Sequence, residues 1–597
     1  MATKRNKLFL GITGLVAAAG LSATLGAQET PESLLPPGFD QPTPAPTPAP
    51  RPAPPRPTPE PRAPAPDSDP DDGADVEATT GTTDSDGDGI SDAGPAGENG
   101  EEDFSLVDAG FSLGGEAPWG SVDGRFHKIL MRRLDVPLAS RWAHIGLRNA
   151  LLADAAAPGA LDEQDWLAER AWLLLRMGEA DAARLLLAGT DTARYSPKLA
   201  QVALQTAMAT SDPAALCPVA PSLDESEARA EPLVRAICAA LSAQPEIASD
   251  SISRARRRGT VDTIDLALVD KLIGAGSGTG RATTLEWEPV ERLNSWRYGL
   301  ATGTGVLPPE ALMDGAAPNL RAWAARAALL TSDQRLPFAR TATGLGVFSG
   351  EALVDLYALD YDRTAAEDLS GTDAFTLRRA FVAPSLGERL EAMRTFWSLG
   401  DDSPYERMAS LAATSLAVAQ IRPNSALEAD VSDIVASLLT AGYVEQALRW
   451  RSALEDMDEE ESDLAWAQLA LAAPGNDLDI GRVGDFISRD DSRSKRRSAV
   501  LLAGLAGLGK LDDARVASIE ERQGLGVMRE TGLTRLLSAA ASRGEQGTVL
   551  LLAASALQSR DVASIPPHYL RAIAAGLRAV DQEFLARMIL AEAVARV

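Results

Sequence analysis

The hydrophobic pattern between Trp166 and Leu187 predicts a helical hairpin. In the first half of this stretch, apolar residues recur at offsets of three and four, which places them on one face of a helix. Gly178 follows, and glycine readily takes the left-handed conformation that ends a helix. In the second half, Ala182 and Ala183 give the next helix a small-residue face. We therefore expect two amphipathic helices joined by a tight turn at Gly178.

The same turn pattern recurs at a regular interval. In the C-terminal third the steps are 33, 34, 35 and 37 residues, between turns at Gly442, Gly475, Gly509, Gly544 and Asp581. From Gly178, steps of 33 residues reach turns at Ser211 and Gln244. The position five residues after the turn, where a small residue packs one helix on the other, holds Ala183, Ala447, Ile480, Ala514, Val549 and Ala586. The pattern predicts a tandem array of helical hairpins.

This spacing, with Gly ending one helix and Ala packing the next, resembles the tetratricopeptide (TPR) repeat. The resemblance implies an all-α solenoid that binds protein partners. Most aromatic and Pro positions of the full TPR consensus are missing, so the pattern indicates a TPR-like or related α-solenoid. We predict an all-α fold preceded by a signal peptide and a long disordered segment.

The first 27 residues have the features of an export signal. Lys4, Arg5 and Lys7 precede an apolar run from residue 8 to residue 25, and Ala27 stands at a cleavage point. The alternative is an uncleaved membrane anchor. No Cys stands directly after the apolar run, and its absence there excludes a bacterial lipoprotein anchor. We expect a periplasmic or exported protein of a Gram-negative envelope.

Residues 28–66 are predicted to form a stiff linker. They contain a Pro-Ala-Thr tract that favours polyproline II and cannot build a core. A ligand for a partner domain and a route through the cell wall are the alternatives. The layout is similar to secreted alphaproteobacterial proteins, some of which carry an antifreeze label. The Thr residues are too few and too irregular for ice binding.

Residues 67–118 are predicted to be acidic and disordered, with one calcium-loop motif. From Asp67 to Asp103 there are 14 acidic residues and no Lys or Arg. Within this run the spacing of oxygen ligands suits Ca²⁺, with carboxylates and one backbone carbonyl from Asp84, Asp86, Asp88, Ile90 and Asp92. The motif resembles a thrombospondin type 3 repeat, although Pro95 replaces the last carboxylate. A purely acidic linker is the alternative.

The chain has two cysteines, Cys217 and Cys238, which we expect on the second helix of one hairpin and the first helix of the next. In an oxidising compartment their spacing predicts one disulfide between adjacent repeats. Two buried free thiols are the alternative. The helical repeats are predicted at residues 119–273 and 306–597, separated by a Gly-rich joint at 274–305.

No catalytic signature stands out. Ser112 lies in a GFSLG pattern without α/β alternation around it, and the three histidines, His127, His144 and His568, are scattered. Glu461 and Ser462 match the Glu-Ser motif of lytic transglycosylases only inside an acidic turn. The basic islands at 254–258 and 493–497 are predicted to be solvated helix ends, and binding of the acidic segment or of an anionic envelope polymer is the alternative. With a net charge of −27, nucleic acid is a poor partner.

These observations favour a non-catalytic interaction scaffold in the periplasm or at the cell surface. Its partner is expected to be an unidentified envelope protein or peptide, and membrane contact is expected only if the N-terminal segment stays uncleaved. A first alternative is a peptidoglycan-acting protein related to the superhelical part of lytic transglycosylases. A second is a Ca²⁺-dependent surface module.

Overall fold

Every regular element in the described part of the chain is helical. The computed structural model describes residues 113–114, 117–121, 124–159, 161–223, 230–259, 261–276, 283–400, 403–475 and 481–597. Within these ranges the chain forms 27 α-helices, several short 3-10 turns and no β-strand. The predicted all-α fold class is confirmed, and the arrangement is compatible with a helical solenoid.

Several sequence predictions fall outside these ranges. They are the signal peptide at 1–27, the linker at 28–66, most of the acidic segment at 67–118 and Ser112. The predicted calcium ligands also lie there, namely Asp84, Asp86, Asp88, Ile90 and Asp92. Calcium binding therefore stays a prediction from the sequence.

We group the described helices by their order along the chain. The first group is α1 (Arg125–Arg133), α2 (Arg141–Leu152), α3 (Glu163–Met177), α4 (Ala180–Ala188), α5 (Pro197–Ala209), α6 (Glu231–Leu241), α7 (Pro245–Arg258), α8 (Thr263–Gly276) and α9 (Ser295–Thr302). The second is α10 (Glu310–Asp314), α11 (Pro318–Ala324), α12 (Ser332–Leu345), α13 (Gly350–Arg363), α14 (Asp373–Val382), α15 (Leu386–Ser398) and α16 (Pro404–Ala419). The third is α17 (Val431–Thr440), α18 (Val444–Leu448), α19 (Arg451–Leu454), α20 (Glu459–Ala472), α21 (Val483–Arg489), α22 (Arg496–Gly507), α23 (Asp513–Gln523), α24 (Gly532–Ser542), α25 (Gln546–Ala556), α26 (Pro567–Ala579) and α27 (Glu583–Ala595).

The predicted hairpin turns form where the spacing placed them. Helix α3 begins after Asp162, whose side chain accepts a hydrogen bond from the Asp165 amide, and it ends at Gly178 with a φ of 93°. Left-handed backbone also occurs at the other predicted turns, at Ser211, Gly442, Gly475, Gly509, Gly544 and Asp581. At the turn predicted around Gln244, the left-handed residue is its neighbour Ala243. The periodicity therefore located real helix ends.

The predicted packing position is correct in four of the five hairpins in which it is described. Ala183, Ala447, Val549 and Ala586 are fully buried. Ala514 is exposed, so its prediction is wrong, and Val516 is buried instead. The reason is that α23 starts four residues after its turn glycine, whereas the other four helices start two residues after the turn. In all five, the buried residue is the fourth of its helix.

The predicted disulfide between Cys217 and Cys238 is confirmed, with a Cα–Cα distance of 5.4 Å. Cys238 lies on α6 as expected. Cys217 does not lie on an α-helix, because it follows a single 3-10 turn at Pro213–Leu216. A bridge that closes a loop of 21 residues stabilises the fold by about 3 kcal/mol.

The stretch predicted as a Gly-rich joint, residues 274–305, contains a packed helix. Helix α9 lies against α5, and a Cβ atom on Gly299 would come within 2.5 Å of the Met208 carbonyl oxygen. Tyr298 is fully buried in the main core, whereas Trp296 packs against a smaller core formed mainly by α5, α6 and α8. Glycine at position 299 is therefore needed for the close approach of two helices.

Helices that are far apart in sequence also pack together. Helix α2 contacts α25 and α27, and one hydrophobic core includes residues from Leu113 to Val594. An open array in which each repeat touches only its neighbours would have no such contacts. The start and the end of the helical region therefore share one core.

Candidate functional site

Helix α2 is buried along most of its length. Ten of its 12 residues are buried, including the charged or titratable Arg141, His144 and Arg148. The helix contacts α3, α4, α12, α25 and α27, and two of its side chains bond to carbonyls of α17. Gly146 allows the contact with α27, because a Cβ atom at this position would overlap the side chain of Leu585. A buried helix with three such side chains requires polar partners on the surrounding helices.

Arg141 bonds to the C-terminal ends of two other helices. Its Nε donates to the carbonyl of Thr343 on α12, and its Nη1 donates to the carbonyl of Thr440 on α17, both at 3.0 Å. The last carbonyls of a helix have no partner within the helix and carry partial negative charge. Burial lowers the pKa of Arg141 to about 10, so the guanidinium stays protonated at neutral pH.

Arg148 and His144 both bind the turn that follows α3. Arg148 Nη1 lies 3.3 Å from both Glu179 Oε1 and the carbonyl of Gly346, the residue that ends α12. His144 Nε2 lies 3.0 Å from the same Glu179 oxygen. Glu179 directly follows the turn glycine Gly178. The turns after α3 and α12 are therefore both tied to α2.

The N-terminal end of α2 is held by a carboxylate from the last helix. Glu592 of α27 accepts hydrogen bonds from Ser140 Oγ at 2.7 Å and from the amides of Arg141 at 2.9 Å and Trp142 at 3.2 Å. Arg596 donates to the same carboxylate at 2.6 Å. A negative charge at a helix N-terminus is favourable because the unpaired amides there carry partial positive charge. Glu592 thus joins the two ends of the helical region.

A cavity of about 350 Å³ lies beside this N-terminal end. We call it the α2 cavity. It is formed mainly by α16, α17, α20, α27 and the first turn of α2. Its wall consists of Trp142, Gly400, Ser403, Pro404, Arg407, Met408, Leu411, Ser432, Asp433, Ala436, Leu439, Thr440, Leu464, Gln468, Asp561, Ala591, Glu592, Ala595 and Arg596.

The wall combines apolar side chains with a few polar groups. Arg407 and Asp433 form an ion pair of 2.5 Å, with side chains that are 29% and 40% exposed. Gln468 is buried, and its Nε2 donates to the carbonyl of Ser432 at 3.2 Å. Its Oε1 accepts no hydrogen bond from the described residues. A mostly apolar concavity with a small number of converging polar groups is typical of a ligand site.

The three histidines lie apart in the fold. His127 Nε2 is 2.9 Å from Thr548 Oγ1, and its ring stands edge-on to those of Trp119 and Trp166. Burial lowers the pKa of His127 to about 4. His144 bonds to Glu179, whereas His568 lies on α26. None of them lines the α2 cavity.

The Glu-Ser pair at 461–462 has a local structural role. Glu461 is exposed in the first turn of α20. Ser462 is fully buried, and its Oγ donates to the carbonyl of Asp458 at 2.7 Å and accepts from Arg482 at 3.1 Å. Neither residue lines the α2 cavity.

The predicted basic islands do not line the cavity either. In the first, at 254–258, Arg256 pairs with Asp270 of α8 at 2.9 Å in an exposed bridge. In the second, at 493–497, Arg497 donates to the Val597 carbonyl at 2.8 Å. Some of these side chains therefore make local contacts at helix ends.

Among the described residues, no group of three or more His, Cys, Asp or Glu side chains is arranged to hold a metal ion. In the same part of the chain, no helix combines the length and the apolar character needed to cross a membrane.

Comparisons of the chain with protein-family models, curated proteins and solved structures gave no match. The geometry of the molecule is therefore the basis for its functional interpretation.

Sequence reasoning did not single out α2 or the cavity. The available signal was the placement of Arg141, His144 and Arg148 at offsets of three and four, which puts them on one side of a helix that is otherwise largely apolar. Arginines within an apolar helix indicate buried carbonyl or carboxylate partners more specifically than exposed basic runs do.

We expect Glu592→Gln to destabilise the fold by roughly 3 kcal/mol, because it leaves Arg596 and the α2 N-terminus without their buried negative charge. Glu583→Gln on the same helix is the matched control. Glu583 forms an i,i+4 pair with Arg587 at 3.7 Å and is partly exposed, so its loss should cost at most about 0.5 kcal/mol. Chemical unfolding of both variants measures the difference, and equal effects would contradict the role given to Glu592.

We expect His127 to make the fold less stable in acid. Histidine ordinarily titrates near 6.5, whereas the pKa of His127 in the folded chain is about 4. Between these values the unfolded chain binds a proton that the folded chain does not. The contribution of neutral His127 to the free energy of unfolding is therefore complete above pH 6.5. It decreases by roughly 1.4 kcal/mol per pH unit as the pH is lowered from 6.5 towards 4. Unfolding of the wild type and His127→Gln at pH 7 and pH 4.5 tests this, and parallel pH profiles would refute it.

Proposed function

We propose that this chain is a non-catalytic interaction scaffold of the cell envelope. In this proposal an N-terminal signal peptide exports the chain, and a TPR-like α-solenoid, closed by the contacts of α2 with α25 and α27, binds a protein or peptide partner. The left-handed turns at intervals of 33 to 37 residues support the TPR-like interpretation. The sequence pattern of residues 1–27 supports export.

The α2 cavity is the observation that carries the proposal. Helices α16, α17, α20 and α27, from separate hairpins, contribute to it together with α2. Its volume of about 350 Å³ suits one side chain or chain end of a partner. Its apolar wall would supply affinity, and the pair of Arg407 and Asp433 would supply orientation.

The alternatives receive less support. A peptidoglycan-acting enzyme needs converging acid and base groups, and the pair at 461–462 is engaged in helix capping and local bonds. A calcium-dependent surface module depends on residues 84–92, which lie outside the described ranges. We keep calcium as a variable in the experiment below.

The test is a pull-down from the envelope fraction with the full chain as bait, with and without Ca²⁺. We expect one saturable partner, lost in Arg407→Glu because the reversed charge sits in the cavity wall. Arg256→Glu is the control, since its exposed pair with Asp270 does not line the cavity.

A partner retained equally by both variants would place the interaction outside the cavity. Recovery of no protein, or recovery of polysaccharide alone, would contradict the scaffold. Digestion of a cell-wall substrate by the purified chain in a zymogram would contradict the non-catalytic proposal.

A further inference from the structure

We propose that the α2 cavity binds a lysine side chain of the protein partner. The inference rests on the proposed function, because it takes the same cavity as the binding site and names the group that enters it. Three properties of the wall lead to this group: its apolar part, an excess of acidic side chains, and one buried hydrogen-bond acceptor without a donor.

The apolar part of the wall provides room for the stem of a side chain. Trp142, Met408, Leu411 and Leu439 line it and are buried. The carbon stem of lysine packs readily along such a surface, while the ammonium group at its end needs polar partners. A volume of about 350 Å³ is near the lower limit for ligand sites. This size favours one side chain over a longer segment of a partner.

The wall carries more negative than positive charge. Its acidic side chains are Asp433, Asp561 and Glu592, and its basic side chains are Arg407 and Arg596. Three carboxylates and two guanidinium groups leave one negative charge in excess. Both arginines are already engaged, because Arg407 binds Asp433 and makes a further interaction, and Arg596 donates to Glu592. The excess therefore favours a cationic ligand.

The carboxylates of the wall suit an ammonium group better than a guanidinium group. Asp433 and Asp561 each accept a described hydrogen bond on Oδ1 only, whereas both oxygens of Glu592 are in use. Arg496 is within electrostatic reach of Asp561, but it bonds to the Ile565 carbonyl and does not line the cavity. A guanidinium binds best to a carboxylate with two free oxygens, and an ammonium needs only one. This difference favours lysine over arginine.

Gln468 supplies the acceptor that the protein leaves unsatisfied. It is 1% exposed, and its Oε1 has no partner among the described residues, although its Nε2 donates to the Ser432 carbonyl at 3.2 Å. Asp433 directly follows Ser432, so the acceptor lies beside the segment that carries a carboxylate. A buried acceptor without a donor is destabilising. An ammonium group has three donors, and one of them would remove this cost on binding.

Arg407 acts in this site as a positioning residue for Asp433. Its Nη2 lies 2.5 Å from Asp433 Oδ1. The variant Arg407→Glu would place two carboxylates side by side, where they repel each other and one of them takes up a proton. It would therefore displace Asp433 without strengthening the site for a cation, which agrees with the loss of partner expected above.

The test is saturation-transfer difference NMR of the full chain with four probes. Nα-acetyl-L-lysine N-methylamide presents the side chain as a protein would. The norleucine derivative lacks only the ammonium group, the arginine derivative carries a guanidinium group, and n-butylamine is a free amine. We expect the lysine derivative to bind saturably and the norleucine and arginine derivatives to bind at least about tenfold more weakly.

Three results would overturn the proposal. The first is no saturable binding of the lysine derivative. The second is an equal affinity for the lysine derivative and for the norleucine or arginine derivative. The third is tighter binding of n-butylamine than of the lysine derivative, which would assign the cavity to free amines.

Asp433→Asn assigns the carboxylate. The new amide oxygen can still accept from Arg407, but the negative charge is lost, so the affinity for the lysine derivative should fall by about tenfold. Asp270→Asn is the matched control, because it removes a carboxylate from the pair with Arg256 outside the cavity. Equal affinities of the two variants would contradict the role of Asp433.

Gln468→Met assigns the buried acceptor. We expect this variant to weaken binding of the lysine derivative and to leave binding of the norleucine derivative unchanged, because only the ammonium group donates to Oε1. A change in packing alone would weaken both derivatives equally. That result would make Gln468 purely structural and overturn its role.

The two proposals fail separately. A saturable envelope partner together with no binding of the lysine derivative would refute the lysine inference and leave the scaffold in place. Binding of the lysine derivative without any envelope partner would support the lysine site and contradict the scaffold.

Discussion

The arginines of α2 bring positive charge into the interior of the helical region, and the fold depends on how that charge is matched. Leaving a buried charge without its partner costs about 3 to 5 kcal/mol, which is a large part of the stability of an ordinary domain. Arg141 and Arg148 avoid this cost because the ends of α12 and α17 and the carboxylate of Glu179 meet them. The positions of these helix ends are therefore coupled through α2.

Glu592 extends this coupling to the end of the chain. Its carboxylate holds the first turn of α2, so the last helix cannot move away without leaving the amides of Arg141 and Trp142 unpaired. The α2 cavity lies where this contact meets α16, α17 and α20. A binding site at this place would be built from rigid elements, which favours specific recognition of a small group.

The sequence contained enough information to place the turns, because a turn depends on a few neighbouring residues. Gly178 and Gly442 end their helices as predicted, and Cys217 bonds to Cys238. The prediction for Ala514 was wrong because a delay of two residues in the start of α23 moved the buried position to Val516. Such a delay is a local detail that a fixed interval does not capture.

The site could not be predicted in the same way. The contact between Ser140 and Glu592 joins residues 452 positions apart, and no local pattern signals such a pairing. Likewise, Gln468 is unremarkable in the sequence, and its unsatisfied Oε1 becomes apparent only when the surrounding helices are in place. What remains predictable is that charged residues within an apolar helix need partners somewhere in the fold.

We infer that α2 joins the beginning and the end of the helical region into one cooperative unit. Native-state hydrogen exchange with mass spectrometry, at increasing denaturant concentrations, tests it most directly. We expect peptides from α2 and α27 to exchange with the same opening free energy and the same denaturant dependence. Exchange of α2 at a lower free energy, independently of α27, would show that the two ends open separately and would contradict the account.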